Sequence, residues 1–268
     1  MKFIHSREEF NASNSAGWNR NYGFWSDEIH RDENSLPSQK ITMAVIRDFA
    51  SAVQNPTVVD FGCGHAWIYE ALANTPKLKF NYMGLDYTEG FINANQQKYA
   101  GKKNARFIKC DITGADLLSH EFKDKADILV NHFNLIETWD IDSVFANMSN
   151  MLKLDGLCVV TTADATSKIA SLSRTRETYN SNIRKLASVK NPPAGQPKQK
   201  TLGFAEEIIN GAQKTGKYFH NAAHTFADYV NYAIWAGMFL HHVDEIFRTD
   251  MPNPQIEYVM QFKKLKVI

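Results

Sequence analysis

Short apolar runs alternate with helical stretches through the middle of the chain. Each run has the length of a buried strand, and most lack the polar alternation of a half-exposed one; the runs cover residues 57–61, 80–86, 105–110, 126–131 and 157–162. Runs of this kind, separated by helices, predict βα units that build a parallel sheet. Because parallel crossovers are right-handed, the helices should cover both faces of that sheet.

Further helices and a final pair of strands are predicted on either side of these runs. Apolar residues at helical spacing predict a helix over residues 38–53, with Ser38 as its N-cap. Thr225 and Asp228 have the spacing of a capping box and begin a helix that ends at Gly237. Strands are predicted over residues 238–247 and 256–262. Because too few residues separate them for a crossover helix, this pair should be antiparallel.

The regular pattern breaks between residues 165 and 224. A long helix is predicted over residues 169–186, followed by a proline-rich loop over residues 191–200. A second, short helix would use Phe204, Ile208 and Ala212. The sheet pattern then resumes, so we expect a single domain over residues 1–268. Its parts would be an N-terminal lid segment (1–37), a core (38–164), a helical insertion (165–224) and a completion of the core (225–268).

Composition narrows the class of protein. The chain has 268 residues, of which 44% are hydrophobic and 22% charged, and its formal net charge is +1. Its three cysteines form no C-x-x-C pair, which argues against a disulfide framework or a zinc knuckle. The first residues become charged too early for a signal peptide, and no apolar run approaches the ~20 residues that span a bilayer. We therefore expect a soluble, cytoplasmic protein that does not associate with a membrane.

A glycine-rich segment lies where the first strand ends and a helix begins. It reads D-F-G-C-G over residues 60–64, and glycines there let the backbone turn tightly and approach a ligand. The dinucleotide fingerprint G-x-G-x-x-G requires a third glycine, but this chain has Trp67 at that position. Asp60, before the first glycine, favours a cationic ligand over a pyrophosphate. A tight turn without a ligand is the alternative interpretation.

Acidic residues also follow the second and third strands. Asp86 could accept hydrogen bonds from both hydroxyls of a ribose, or it could cap the following helix. Asp111 could accept a bond from an adenine amino group while Ile112 covers the ring, or it could be a simple capping aspartate. A glycine loop, a ribose acid and an adenine acid on three consecutive strand ends are more specific together than any one of them.

With these motifs the chain resembles the class I S-adenosylmethionine-dependent methyltransferases. The resemblance runs from about Ser38 onward and includes the L-K-L-D-G-L turn at 152–157 and the A-G-M-F segment at 236–239. It implies a Rossmann-like α/β fold with a seven-stranded sheet in the order 3-2-1-4-5-7-6, whose seventh strand is antiparallel. It also implies S-adenosylmethionine as cofactor, bound by residues at the strand ends: Asp60, Gly62, Cys63, Gly64, Asp86, Tyr87, Asp111, Ile112, Asn131, His132 and Phe133.

Departures from several subfamilies bear on the substrate. The [DN]-P-P-[YF] motif of many nucleic-acid amino-methylating enzymes is replaced by N-H-F-N at 131–134. Protein arginine methyltransferases need two glutamates on a hairpin, and only Glu137 is nearby. The metal set of catechol-type enzymes is incomplete, since Asp164 is present but Asn131 and Ala165 do not complete it. These departures favour a metal-free enzyme that acts on a small molecule.

Two variable segments are candidates for the acceptor site. Four aromatic residues could form a lid over the sulfonium or pack as a permanent hydrophobic clasp: Trp18, Tyr22, Phe24 and Trp25. The insertion, expected on the substrate side, is basic, with ten Lys or Arg and three acids over residues 165–217. Arg174 and Arg176 could bind an acidic acceptor there, although a solvated helix face explains the same charges. No aromatic-interleaved basic stripe continues elsewhere, so nucleic acid is not expected.

Four residues are candidates for the base that takes a proton from the acceptor: His132, Glu137, His220 and His224. His132 ranks first, because the stretch after the fourth strand lies closest to the methyl group in the resembling family. Packing against the methionine part of the cofactor is an equal alternative for it. Glu137 is more often a structural anchor. His220 and His224 could instead be two ligands of a metal, but no clear third ligand exists, so no metal is predicted.

Three functions remain open from the sequence. The first is methyl transfer to a small-molecule acceptor, biosynthetic or acidic. The second keeps the cofactor but cyclises or cleaves it, which would release methylthioadenosine. The third is a cofactor-binding partner subunit without catalytic activity. A homodimer is compatible with each of them.

Overall fold

The computed structural model describes residues 2–4, 6–28, 36–165, 167, 180–182, 184, 203–210, 213–249 and 255–264, and for residues 2–3, 19–28, 203–210 and 213–220 it describes the backbone. The strands within these ranges are β1 Lys2–Ile4, β2 Thr57–Phe61, β3 Asn81–Asp86, β4 Ala105–Lys109, β5 Ala126–His132, β6 Leu152–Ala163, β7 Gly203–Asn210, β8 Gln213–Ala222, β9 Met238–Arg248 and β10 Gln255–Lys264. The helices are α1 Arg7–Glu28, α2 Pro37–Ala52, α3 Trp67–Ala73, α4 Glu89–Lys98, α5 Ile141–Met151 and α6 Phe226–Trp235.

The main sheet has seven strands in the order β4-β3-β2-β5-β6-β10-β9. The first five in this order are parallel to one another, and β10 is antiparallel to both β6 and β9. The predicted α/β fold class, strand order and antiparallel last strand are confirmed. Parallel strands bring their carboxyl ends to one edge of the sheet, which we call the carboxyl edge. None of the described helices is long and apolar enough to cross a membrane.

Alternate side chains of each central strand pack into two hydrophobic cores on opposite faces of the sheet. The core beside α2 and α3, which we call the α2 face, receives Val58, Val130, Val159 and Val259. The core beside α5 and α6 receives Val59, Leu129, Cys158 and Met260. Because both faces are covered, the strands read as continuous apolar runs rather than as alternating ones.

Helix α2 begins one residue earlier than its sequence pattern predicted. Pro37 occupies its first turn, where the missing N–H does no harm, and Leu36 precedes the helix in an extended conformation. Ser38 is therefore not the N-cap: it lies inside the first turn and is fully buried. The helix packs across β6 and β10, and this places its N-terminus at the carboxyl edge.

The insertion is not purely helical, and this corrects one expectation. The short helix predicted around Phe204, Ile208 and Ala212 is replaced by β7, which pairs with β8 on one side and β1 on the other. A spacing of four residues fits one face of a helix and one face of a strand equally well, so the spacing could not distinguish them. Residues 165, 167, 180–182 and 184 have helical backbone, while the rest of the predicted long helix and the proline-rich loop lie outside the described residues.

The N-terminal segment contains a long helix that the sequence pattern did not predict. Helix α1 lies against the loop after β5 and against β8. Phe10 is fully buried and its ring lies 5.4 Å from that of Trp139. Arg7 forms an ion pair of 2.6 Å with Asp140. The N-terminal segment is thereby attached to the part of the main sheet where a ligand is expected.

Candidate functional site

The loop after β2 turns sharply and is attached to the end of β3. Gly62 and Gly64 have φ values of 76° and 47°, and Ala66, the residue before α3, has a φ of 58°. The backbone nitrogens of Gly62 and Cys63 both donate to the carbonyl oxygen of Leu85, at 2.8 and 3.0 Å. The glycines are needed because side chains rarely adopt this left-handed conformation.

Close packing also requires two of the glycines in this region. A Cβ atom at Gly62 would lie 2.6–2.8 Å from the side chain of Asn134. A Cβ atom at Gly84, in the middle of β3, would lie 2.8 Å from the sulfur of Cys63 and 2.9 Å from the ring of Phe107. The side chain of Cys63 therefore points into the α2-face core, and only its backbone is available to a cofactor.

Asp86 links the glycine loop to the start of α4. Its two carboxylate oxygens accept hydrogen bonds from the backbone nitrogens of Gly64, at 2.9 Å, and Thr88, at 2.8 Å. Burial raises the pKa of Asp86, and the amide donors oppose that rise. Each oxygen retains a further lone pair that could accept a hydrogen bond from a ribose hydroxyl. The residue that caps α4 is Thr88, so Asp86 is not the N-cap that stood as the alternative; the ribose role stays a prediction.

Asp60 lies beneath the glycine loop, on the α2 face. Its carboxylate is 2% exposed and accepts a hydrogen bond of 2.6 Å from the hydroxyl of Tyr82. Burial raises the pKa of Asp60 to about 7; repulsion from Asp86 adds to the rise, and the bond from Tyr82 opposes it. Near neutral pH this carboxyl is therefore partly protonated and can become charged when a cation binds nearby.

Three other residues that were predicted to bind the cofactor lie after β3 and β4: Tyr87, Asp111 and Ile112. Asp111 is exposed, and one carboxylate oxygen accepts from the backbone nitrogen and hydroxyl of Thr113, at 2.9 and 2.7 Å. Ile112 is only 6% exposed and packs into the core beside α5. Burial raises the pKa of the Tyr87 phenol, as do the charges of Glu137, Asp86 and Asp111, so the phenol stays protonated. The cofactor roles of these residues stay predictions.

The end of β5 is held in place by buried hydrogen bonds. The amide nitrogen of Asn131 donates to the carbonyl oxygen of Phe61 at 3.2 Å, and its oxygen accepts from the backbone nitrogen of Leu135 at 3.2 Å. Phe133 has a φ of 58°, and its nitrogen donates to the carbonyl oxygen of Thr161 at 2.7 Å. This geometry turns the chain out of the sheet directly after His132.

His132 is half-buried on the α2 face of the carboxyl edge. Its ring makes edge contacts with the rings of Trp67 and Phe133, whose centroids lie 4.9 and 4.7 Å away. Thr161 is its neighbour on β6. His132 thus lies at the carboxyl edge on β5, between β2, which precedes the glycine loop, and β6.

Helix α1 is attached above the same edge. The indole nitrogen of Trp18 donates to the carboxylate of Glu137, and the amide nitrogen of Asn14 donates to the Glu137 carbonyl oxygen at 2.7 Å. The Trp18 ring also lies 6.0 Å from that of Phe91, which in turn contacts His65 of the glycine loop at 4.5 Å. Glu137 therefore anchors the helix. Tyr22 and Trp25 also belong to α1, but their side chains lie outside the described residues.

His224 and His220 lie at the end of the insertion. His224 is 2% exposed, and its Nε2 atom is 2.7 Å from the carbonyl oxygen of Thr138. Because a carbonyl only accepts, Nε2 must carry the proton. His220 lies on β8, and its side chain is outside the described residues, as are Arg174 and Arg176. The described part of the chain contains no cluster of three or more His, Cys, Asp or Glu residues suited to a metal.

Comparison with known proteins shows the family. A family described as "Methyltransferase domain" matches residues 52–223, well over half of the chain, including the glycine loop and the ends of β2 to β6. The chain belongs to the methyltransferase-domain family. The predicted class I methyltransferase, with S-adenosylmethionine as its cofactor, is confirmed. No curated protein matches this methyltransferase with significance.

Solved structures share the fold of this methyltransferase at low sequence identity. A Burkholderia thailandensis 1,6-didemethyltoxoflavin-N1-methyltransferase, solved with 1,6-didemethyltoxoflavin and S-adenosylhomocysteine, is 12% identical with a TM-score of 0.59; 98% of this chain and 92% of that one are covered. An S-adenosylmethionine-dependent methyltransferase from Clostridium acetobutylicum is 14% identical, with a TM-score of 0.57 and coverage of 93% and 99%. Another, from Mesorhizobium loti, is 14% identical, with a TM-score of 0.56 and coverage of 87% and 100%.

Several residues that shape the candidate site of this methyltransferase were not identified in the sequence analysis. Tyr82 reads as one apolar position of β3, and only its register places its hydroxyl against Asp60. Asn14 and Phe91 read as ordinary helix residues. A usable signal did exist for Tyr82: it is a hydrogen-bonding side chain in a strand that neighbours a buried acid. The contacts of Asn14 and Phe91 with the site depend on how α1 lies on the core.

Proposed function

We propose that this methyltransferase acts on a small molecule that is enclosed between the strand ends and helix α1. The observation that carries the proposal is the attachment of α1 above the carboxyl edge by Trp18, Asn14 and Glu137. A helix held there leaves space for a small acceptor beneath it and obstructs a polymer. The Burkholderia enzyme, whose structure is similar along nearly the whole chain, has a small-molecule acceptor in its name. An acidic acceptor rests on Arg174 and Arg176, which the described residues do not include.

The described residues fit the cofactor at the glycine loop. The carboxylate of Asp86 would accept from the ribose hydroxyls, and Tyr87 and Asp111 would lie beside the adenosine. The backbone of Gly62, Cys63 and Gly64 would border the methionine part. Asp60, with its raised pKa, supplies a negative charge beneath that loop when it ionises, which suits a ligand with an ammonium and a sulfonium. Ile112, Asn131, His132 and Phe133 would complete the border of the site.

When bound, S-adenosylmethionine supplies a methyl group on a positively charged sulfur. The residues of the chain then have three tasks: to orient the acceptor, to exclude water and to accept a proton. Orientation of the acceptor should lower the reaction barrier most, since holding two reactants in line can contribute ~7–11 kcal/mol. Trp18 and Phe91 would exclude water from above, because their rings pack together between α1 and the glycine loop.

Among the three candidates whose side chains are described, the geometry favours His132 as the base. It lies half-buried at the end of β5, on the α2 face of the carboxyl edge. The carboxylate of Glu137 already accepts from Trp18, and Nε2 of His224 already donates to Thr138. His132→Gln should lower turnover by ~10²–10⁴-fold if His132 accepts the proton. His224→Gln is the matched comparison.

Mass analysis of the cofactor product tests the proposal. The full-length protein is incubated with S-adenosylmethionine and fractions of a cell extract, and the products are separated. Formation of S-adenosylhomocysteine together with a product heavier by one methyl group supports small-molecule methylation. Methylthioadenosine would show cyclisation or cleavage of the cofactor instead. S-adenosylhomocysteine that binds in calorimetry, without any turnover, would indicate a non-catalytic partner subunit.

A further inference from the structure

A second polar cluster lies at the carboxyl edge on the α2 face, and the mechanism above does not use it. Thr42 and Thr161 join α2 to β6 by a hydrogen bond of 2.7 Å between their hydroxyls. Ser38 lies one helical turn before Thr42, and Ala163 lies two residues after Thr161. Both steps advance about 6 Å toward the carboxyl edge. Ser38 therefore lies in the turn of α2 at the carboxyl edge, and Ala163, whose neighbour on β10 is Glu257, lies at the end of β6 at the same edge.

Three polar atoms of this cluster are shielded and lack a hydrogen-bond partner among the described residues: Oγ of Ser38, Nε2 of Gln39 and Oε2 of Glu257. All three residues are buried. The orientation of Gln39 is settled, because its Oε1 accepts from the backbone nitrogen of Leu36 at 3.0 Å. The amide nitrogen Nε2 of Gln39 therefore points away from the Leu36 nitrogen. Unpaired buried polar groups disfavour folding, and where several persist together a ligand is a ready explanation.

We propose that Ser38, Gln39 and Glu257 bind the polar edge of the methyl acceptor. This deepens the proposed function and rests on it. The free oxygen of Glu257 accepts a hydrogen bond, the amino group of Gln39 donates one, and the Ser38 hydroxyl can do either. A molecule that satisfies them presents an N–H beside a carbonyl oxygen, as the edge of a cyclic amide does. The acceptor class is therefore a small nitrogen heterocycle with a lactam edge.

The charge within the cluster indicates that this acceptor is neutral. Arg248 donates to Oε1 of Glu257 at 2.7 Å, and the two side chains are 7% and 5% exposed. The ion pair leaves no net charge at the site. An anionic or cationic acceptor would bring an uncompensated charge into a buried position, which is strongly unfavourable. The cluster thus disfavours the acidic acceptor that the basic insertion suggested.

The position of the cluster suits a substrate whose other end reaches His132. His132 lies on β5 and Glu257 lies on β10, and only β6 separates these two strands. Both side chains belong to the α2 face. Neighbouring strands lie about 4.8 Å apart, so the strands that carry His132 and Glu257 are separated by roughly 10 Å. A molecule of one or two rings, with hydrogen bonds at one edge, bridges that separation. The nucleophilic atom would then lie at the far end from the lactam edge.

Thermal unfolding of the ligand-free protein gives a first test that does not depend on activity. Ser38→Ala removes a buried hydroxyl without a partner, so Tm should stay equal or rise by up to about 2 °C. Ser51→Ala makes the same change at the exposed far end of the same helix and should leave Tm unchanged. A fall of Tm by more than about 2 °C in Ser38→Ala alone would show that the hydroxyl has a structural role, and would overturn its place in the proposal.

Ligand-detected NMR titration with 2-pyridone, a minimal lactam, tests recognition directly. The full-length protein is saturated with S-adenosylhomocysteine, and benzoate serves as a charged probe of similar size. We expect 2-pyridone to bind the unaltered protein, and to bind Ser38→Ala and Gln39→Met at least fivefold more weakly. Ser51→Ala should bind it as the unaltered protein does. Absence of 2-pyridone binding, equal binding by all variants, or a benzoate site lost in the same variants would each overturn the proposal.

Calorimetry with S-adenosylhomocysteine on the same proteins separates this inference from the proposed function. If the unaltered protein does not bind S-adenosylhomocysteine, the proposed function fails and the acceptor site with it. If all variants bind S-adenosylhomocysteine equally and 2-pyridone binding follows Ser38 and Gln39, both stand. If cofactor binding and methyl transfer are present but 2-pyridone does not distinguish the variants, only the acceptor site proposed here is wrong.

Discussion

At the scale of single residues, two buried acids at neighbouring strand ends have different tasks. Asp86 accepts two backbone amide bonds and lies at the edge of the site. Asp60 lies deeper, with the Tyr82 hydroxyl as the hydrogen-bond donor in contact with it. The pKa of both acids is raised by burial. Asp86 can therefore contribute directional hydrogen bonds, whereas Asp60 contributes a charge that depends on pH.

Replacement of Asp86 should weaken cofactor binding. In Asp86→Ala the ribose hydroxyls would lose a charged acceptor, and the affinity for S-adenosylhomocysteine should fall by roughly 1.5–3 kcal/mol. Isothermal calorimetry measures this. Asp116→Ala removes an exposed acid from the nearby 3₁₀ turn and is the control. Unchanged affinity in Asp86→Ala, or a preference for NAD, would contradict the assignment of Asp86 to the ribose.

Asp60 should make stability fall as pH rises. Its pKa is about 7 in the folded protein against 3.8 for the free side chain, so between these values the folded state holds a proton that the unfolded state has released. The stabilisation is therefore complete below about pH 4 and is lost as pH rises to about 7, by up to ~4 kcal/mol.

Urea unfolding of Asp60→Asn at several pH values between 5 and 8 isolates this effect. The variant keeps the shape and the acceptor for Tyr82 but cannot ionise. Relative to it, the unaltered protein should lose stability across that range. If the free energies of unfolding of the two proteins run parallel with pH, Asp60 does not titrate as described.

At the scale of elements, the β9–β10 hairpin pairs with β6 through β10 and holds one buried ion pair between its own two strands. Arg248 and Glu257 lie on opposite strands of the hairpin and face the α2 core. A pair of this kind is costly to break from one side, because the remaining charge stays buried. Replacement of Arg248 or Glu257 alone should therefore destabilise the hairpin, whereas replacement of both together should be tolerated.

Arg248→Met should destabilise the protein by about 3–5 kcal/mol, since Glu257 loses its partner in a buried position. Arg248→Met combined with Glu257→Met should recover most of that loss. Chemical unfolding measures both. Equal stabilities of the single and double variants would show that the pair is solvated in practice.

At the scale of the whole molecule, the N-terminal segment and the insertion are joined above the site. Strand β1 adds an edge to the β7–β8 hairpin, and α1 crosses from there to Glu137. A two-stranded hairpin alone is only marginally stable in water. The N-terminal segment therefore stabilises the β7–β8 hairpin and lies above the carboxyl edge, while the residues predicted to bind the cofactor belong to the main sheet and the loops after its strands.

A chain without residues 1–35 should keep its cofactor site and lose turnover. The main sheet and its two cores remain, so S-adenosylhomocysteine should bind within about tenfold of the full chain. Turnover should fall more than about 100-fold, because positioning and water exclusion contribute several kcal/mol. Calorimetry and mass analysis measure the two effects, and a cooperative thermal transition controls for folding. Full activity of the shortened chain would show that α1 is not part of the site.

The features that could be predicted from the sequence are those that depend on residues close together along the chain. The predicted bounds of the main-sheet strands agree with the observed ones within two residues, except that β6 begins at Leu152, within the segment that was interpreted as a turn. Buried apolar runs separated by helical stretches are visible in a sequence. The motif positions Gly62, Gly64 and Asp86 were found for the same reason: a βα turn needs particular backbone conformations at fixed places. These features depend on neighbours along the chain, and the family match at residues 52–223 covers the same region.

Contacts between distant parts of the chain decided the rest. Helix α1 is largely polar without an apolar stripe, so only its attachment to the core favours it. The pairing of Trp18 with Glu137, 119 positions apart, and of Asp60 with Tyr82 across two strands leaves no local trace. By itself the sequence determined the sheet, the cofactor motif and the family, which follow from periodicity and backbone geometry. The tertiary structure decided how α1 lies above the carboxyl edge and which buried polar groups of the described residues lack a partner, because both depend on how separate elements pack.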